Sequence, residues 1–162
     1  MQGDRAFTQE EWDILACAPR SVEVAVRVSH LHTSLQDALR AFHTWDATQV
    51  LFPDSELVQA IIRDQRQDED LARVGVAVET HTSAGLQRHI HDHALALCYE
   101  AAAILKHKAT VQERDDYWRF VHSVATAAAC DNQQTELSPW CGRSLHELER
   151  TAIAQIEGAL AH

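Results

Sequence analysis

The stretch from Leu86 to Ala109, LQRHIHDHALALCYEAAAILKHKA, restricts the fold more than any other part of the chain. Read with the helical period, its mostly apolar residues fall on two nearly opposite stripes. The first stripe contains Leu86, Ile90, His93, Leu97, Ala101 and Ile104, and the second contains His91, Leu95, Cys98, Ala102 and Leu105. Because a helix that is apolar on two sides usually packs between neighbours, the pattern predicts a central helix near residues 86-108.

Turn-forming residues are scarce, since the chain of 162 residues contains only 5 Gly and 3 Pro. Residues with β-branched side chains nowhere alternate with polar residues over the length of a strand, so the pattern favours helices joined by short turns. At this length one domain, residues 1–162, has enough chain to bury a core. We therefore expect an all-α, single-domain helical bundle of about six or seven helices around the central helix.

Helix starts and stops divide the chain further. Thr8 and Glu11 have capping-box spacing, and Phe7 and Trp12 flank them as an apolar staple. Pro19 is expected to end the first helix and to begin a second, because proline suits a first helical position. The middle of the chain predicts a short helix from Ser34, a helix from Pro53 with Leu57, Ile61 and Ile62 inward, and helical periodicity over Leu71–Val78.

After the central helix, the pattern predicts a helix over Val111–Cys130 with Tyr117, Val121, Val124 and Ala128 inward. A polar loop over Asp131–Arg143 and a final helix capped by Ser144 and Glu147 follow it.

The charge balance argues against several partners. With 14 basic and 24 acidic side chains the formal net charge is −10, and no basic stripe offsets it, so nucleic acid is not expected to bind. No apolar run approaches the ~20 residues of a membrane span, and the polar N-terminus does not resemble a signal peptide. We expect a cytoplasmic protein whose cysteines stay reduced, although Cys130 and Cys141 flank one loop and could approach each other.

His89 and His93 are the candidate metal ligands, because residues four apart lie one above the other on a helix. Iron, zinc or copper would suit such a pair. His91 points elsewhere, and Glu100 lies ~10 Å from His93 along the helix axis. The alternative interpretation makes His93 a buried, neutral histidine of the core, centred on the first stripe.

The residues give less support to a di-iron site, a cysteine nucleophile or a ligand cavity. The chain has no Glu-x-x-His motif, which di-iron bundles require in pairs. Cys98 has no base or orienting group at a suitable spacing, so a cysteine nucleophile is not expected. The aromatic residues are expected to form core, with a ligand cavity between helices as the alternative. They include Trp12, Trp45, Trp118 and Trp140, with Phe42, Phe52, Tyr117 and Phe120.

A resemblance is carried by four segments: FTQEEWDILACAP, LCYEAAAILKHKAT, YWRFVHSVATAAA and SLHELERTAIAQIEGAL. They resemble a group of small bacterial helical proteins, which have a Trp and an Ala-Pro near the N-terminus and a terminal Ser-x-x-Glu before an amphipathic helix. The general plan is similar to that of the TerB-like domains associated with tellurite resistance. That resemblance implies a small helical bundle. It would place an acidic metal-binding motif where this chain reads VSHLHTSLQDAL, without the Asp-Gly pair.

The sequence favours a non-enzymatic, cytoplasmic helical module that acts through protein–protein association, as a homo-oligomer or with a protein partner. The two-sided central helix, the acidic surface and the lack of a catalytic constellation motivate this hypothesis. The alternative is a metal- or small-ligand-binding helical bundle that uses the pair His89 and His93.

Overall fold

The computed structural model describes residues 7–28, 50–67 and 84–131, together with Ala154 and Gly158. The three ranges form helices α1 (Gln9–Val28), α2 (Glu56–Gln67), α3 (Ala84–Lys108) and α4 (Val111–Asp131). They contain no strand, which confirms the all-α prediction, but four helices do not support the predicted six or seven. The predictions that lie outside the described residues are the helix from Ser34, the Leu71–Val78 periodicity, the polar loop after Asp131 and the cap at Ser144 and Glu147.

The capping box at the start of α1 is confirmed. The Thr8 amide donates to Glu11 Oε2 at 2.7 Å, and the Glu11 amide donates to Thr8 Oγ1 at 3.2 Å. The rings of Phe7 and Trp12 lie 6.4 Å apart, as the apolar staple requires. The first turn of α1 is therefore specified by residues close together in the sequence.

The predicted helix break at Pro19 is wrong, because α1 continues through it. Proline cannot donate to the carbonyl four residues earlier, so a continuous helix leaves the Leu15 carbonyl without its usual partner. The buried Tyr117 hydroxyl of α4 donates to that carbonyl at 2.9 Å. The next carbonyl, that of Ala16, accepts from Gln65 Nε2 of α2 at 3.0 Å. Tertiary hydrogen bonds thus compensate for the proline inside the helix.

The centre of the described core is α1, not the helix near residues 86-108. Every side chain from Val22 to Val28 is buried, and α1 packs mainly against α3 and α4 and also against α2. Helix α3 forms close to its predicted bounds but has a single fully buried line, made of Ala94, Cys98, Ala101 and Leu105. Among the described residues, it therefore lacks the neighbours that were predicted on both of its sides.

The inward faces predicted for α2 and α4 are confirmed. The buried residues Leu57, Ile61, Ile62, Tyr117, Val121, Val124 and Ala128 all belong to the same core cluster. Phe52 joins this cluster from the segment before α2, with its ring edge-on to Phe120 at 6.2 Å. The described aromatic residues other than Tyr99 thus pack in or against the core. None of the described helices has both the length and the apolar character that crossing a membrane requires.

Candidate functional site on helix α3

Helix α3 is held against α1 at both ends. Near its start, Gln87 Nε2 donates to the carbonyl of Val28, the last residue of α1, at 2.7 Å. At its end, Lys108 Nζ donates to Glu11 Oε2 at 2.5 Å, and this bond lowers the pKa of the Glu11 carboxyl below its usual value. The two helices therefore run antiparallel. One side of α3 faces the core along its length, and the opposite side faces outward.

The inner side of α3 explains why the sequence showed two apolar stripes. The buried line takes Ala101 from the first stripe and Cys98 and Leu105 from the second, with Ala94 between the stripes, so both stripes belong to one broad inner side. Leu95 on one margin and Leu97 on the other are partly buried and pack against the core cluster. Stripes on either side of a helix therefore do not require two layers of neighbours.

His93 is exposed, which contradicts its interpretation as a buried core histidine. It directly precedes Ala94, and consecutive helical residues are about 100° apart, so its side chain points away from the middle of the inner side. His89 is also exposed, one helical turn earlier. His91 lies on the opposite margin at 24% exposure, with Nδ1 3.8 Å from Asp92 Oδ1.

The exposed side of α3 carries a regular pattern. Six exposed residues follow one another at intervals of four, three, four, three and four. We call them the outer strip, and they are His89, His93, Ala96, Glu100, Ala103 and His107. This alternation is the heptad spacing that keeps residues on one face of a helix. Tyr99, beside the strip, has 52% of its surface exposed.

The outer strip offers imidazoles and one carboxylate, the donor types that zinc, iron and copper accept. His89 and His93 are separated by about 6 Å along the helix axis, whereas His107 lies about 21 Å beyond His93. Within the described ranges, no three His, Cys, Asp or Glu side chains cluster closely enough to hold a metal ion. The described part of one chain therefore offers two neighbouring candidate ligands at this place.

The cysteines of the described part do not add a nucleophile. Cys98 is fully buried, and burial raises the pKa of its thiol to about 12. At neutral pH such a thiol is almost entirely protonated, whereas a cysteine nucleophile reacts as the thiolate. Cys17 is partly buried on α1, and neither of these two cysteines forms a disulfide. The prediction that Cys130 and Cys141 could approach each other lies outside the described residues, which include neither side chain.

Several of these arrangements were not visible to sequence reasoning. The contacts of Lys108 with Glu11 and of Trp12 Nε1 with Asp64 Oδ2, at 2.8 Å, join residues far apart in the chain. A second capping box, between Thr110 and Glu113 at the start of α4, was missed although its spacing matches that of Thr8 and Glu11. The exposed heptad was also detectable as a spacing, but deciding which side faces outward required the packing of α3.

Comparison of the chain with protein-family models, curated proteins and solved structures finds no match. The resemblance to TerB-like domains thus remains a prediction.

Proposed function

We propose that this chain is a non-enzymatic, cytoplasmic helical protein that works by association with a second copy of itself through the outer strip of α3. The observation that carries the proposal is the heptad spacing of six exposed residues, from His89 to His107. The buried side of α3 already supplies its contribution to the core. The regular spacing on the opposite side is therefore free to serve an intermolecular contact.

The residues in the middle of the outer strip suit a helix–helix contact. Ala96 and Ala103 have short side chains, so a second helix can approach the backbone of α3 closely there. Tyr99 lies between them in sequence and adds an exposed aromatic ring, a residue type enriched in protein interfaces. The N-terminal and C-terminal ends of the strip carry the histidines. The contact would thus have small residues at its centre and polar groups at its ends.

Sedimentation at micromolar concentrations, with Zn²⁺ and with a chelator, tests this proposal. We expect the wild-type chain to dimerise in at least one of the two buffers. Ala96→Glu should lower the dimer fraction, since it places a charge in the contact. Gln112→Glu is the matched control, because it adds the same charge at an exposed position of α4. Strictly monomeric wild-type protein in both buffers would refute self-association, and an equal effect of the control would refute the outer strip as the contact.

The second candidate function is binding of a transition metal, iron, zinc or copper, or of a small ligand, at His89 and His93. It is favoured because both side chains are exposed and lie one turn apart on the same helix. Metal analysis and titration of untagged protein test it. The double variant His89→Ala/His93→Ala should lose binding, and His122→Ala, an exposed histidine of α4, should retain it. Equal binding by both variants would exclude the pair as the site.

A further inference from the structure

The outer strip has the same spacing when it is read in either direction. Its intervals of four, three, four, three and four residues form a palindrome. When two copies of α3 lie antiparallel, each strip position can therefore face a strip position of the other copy. In that register His89 faces His107, His93 faces Ala103, and Ala96 faces Glu100.

We propose that two copies of the chain, paired in this antiparallel register, complete a three-histidine transition-metal site at each end of the contact. His89 and His93 of one copy supply two imidazoles, and His107 of the second copy supplies the third. The proposal deepens the proposed function and rests on it, because the site exists only when the chains associate through the outer strip. Three histidines with one open position form a set that binds zinc in proteins.

The need for a second copy follows from the distances along α3. His107 lies about 21 Å from His93, so both cannot bind one ion in the same chain. The described ranges contain no cluster of three metal-binding side chains. A metal held by His89 and His93 therefore still has coordination positions to fill, and the second copy brings an exposed imidazole to that end of the strip.

Charge selects the antiparallel orientation over a parallel one. A parallel pair would place Glu100 opposite Glu100, with like charges in contact, whereas the antiparallel pair places Glu100 opposite Ala96. Asp92 and Lys106 are both exposed and lie on the same flank of the outer strip. Antiparallel pairing brings Asp92 of one copy to nearly the same level as Lys106 of the other. Opposite helix dipoles also favour this arrangement.

The composition of the strip indicates that association depends on the metal. Only Ala96 and Ala103 among its six residues are apolar, and both have small side chains. Burial of so little apolar surface gives a weak driving force for association. Metal coordination by residues of both copies would supply the missing attraction and fix the register.

The test is sedimentation velocity of the full chain with Zn²⁺ and with a chelator, combined with subunit mixing. We expect the wild-type chain to dimerise with Zn²⁺, binding two ions per dimer, and to dissociate when Zn²⁺ is removed. His107→Ala alone and His89→Ala/His93→Ala alone should each remain monomeric with Zn²⁺. His122→Ala is the matched control and should dimerise like the wild type.

Mixing the two defective variants provides the decisive measurement. One chain then has His89 and His93 while the other has His107, so a heterodimer contains one intact site. The mixture should regain Zn²⁺-dependent dimers with one ion per dimer.

Three outcomes would overturn the inference. Dimers of His107→Ala that still need Zn²⁺ would show that His107 is not a ligand and would favour parallel pairing. Dimers that ignore Zn²⁺ would refute the metal site while leaving self-association intact. Zn²⁺ bound to a chain that stays monomeric both with Zn²⁺ and with the chelator would refute the shared site and the proposed self-association together.

Discussion

Helices α1 and α3 lie side by side, yet their burial is the reverse of what their residues suggest. Helix α3 is rich in alanine and leucine and leaves one whole side exposed. Helix α1 contains Pro19, Glu23 and Arg27, and all three are buried. Among the described helices, α1 packs against the three others, and this position accounts for its deeper burial.

The polar groups inside α1 are tolerated because they have partners. Arg27 donates to Glu23 Oε1 from Nη2 at 3.0 Å and from Nε at 3.2 Å. The two side chains are only 3% and 0% exposed, so their charges compensate each other away from water. The hydrogen bond from Tyr117 to the Leu15 carbonyl compensates for the missing amide at Pro19.

The largest difference in stability between α1 and α3 is expected when one carboxylate is removed from each helix. Glu23→Ala should lower the free energy of unfolding by about 3–5 kcal/mol, because Arg27 is left buried without its carboxylate. Glu100→Ala, at an exposed position of α3, should change it by no more than about 0.5 kcal/mol. Urea denaturation of both variants measures the difference. Losses of similar size would mean that the two helices are not buried differently.

A smaller loss of unfolding free energy is expected when the hydrogen bond that compensates for Pro19 of α1 is removed. Tyr117→Phe should lower the free energy of unfolding by about 1–3 kcal/mol, because the buried Leu15 carbonyl loses its donor. In a Pro19→Ala background the same change should cost less, since Ala at position 19 has an amide that can bond to Leu15. A double-mutant cycle in urea measures this coupling. An unchanged cost would show that Tyr117 does not compensate for the proline.

High pH should weaken the core where α1, α3 and α4 meet. Burial raises the pKa of Tyr117 well above its usual value, with smaller contributions from Cys98 and Cys17. A folded-state pKa above the unfolded one means that stability is complete below the unfolded pKa and is lost as the pH rises past it. Stability should therefore fall above about pH 10, the ordinary range of tyrosine.

Tyr117→Phe should make this alkaline decline less steep, and thermal melts between pH 8 and 11 measure it. Tyr99→Phe is the matched control, because it removes the half-exposed tyrosine hydroxyl of α3. If both variants flatten the decline equally, burial of Tyr117 is not its cause.

The smallest effect on stability is expected when the contact between the end of α3 and the start of α1 is weakened. The hydrogen bond from Lys108, and next the bond from the Thr8 amide, hold the pKa of Glu11 below its usual value. A lowered folded-state pKa stabilises the fold above the unfolded pKa, and this contribution disappears as the pH falls through the folded one.

Glu11→Gln should accordingly lower the Tm modestly at pH 7, and the difference from wild type should shrink below about pH 4.3. Glu10→Gln removes the neighbouring exposed carboxylate and is the control for general charge effects. A Tm difference for Glu11→Gln that stays constant down to pH 3 would contradict the assigned role of the carboxylate.

Local features of the chain determined much of the described fold. The capping box at Thr8, the inward residues of α2 and α4, and the existence of α3 all follow from spacings within one element. Such spacings report interactions between residues three or four apart, which a sequence displays directly. The pair His89 and His93 was also named from its spacing, and both residues lie on the exposed side of α3. Metal binding by this pair stays a prediction.

Only the tertiary structure decided which helix is central and which side of α3 faces outward. Both depend on contacts between residues far apart in the chain, such as Tyr117 with Leu15 and Lys108 with Glu11. Pro19 shows the physical reason most clearly. Proline at this position predicts a helix break, but Tyr117 of α4 donates to the Leu15 carbonyl and the helix continues. Local propensity is overruled where distant side chains supply the missing hydrogen bonds.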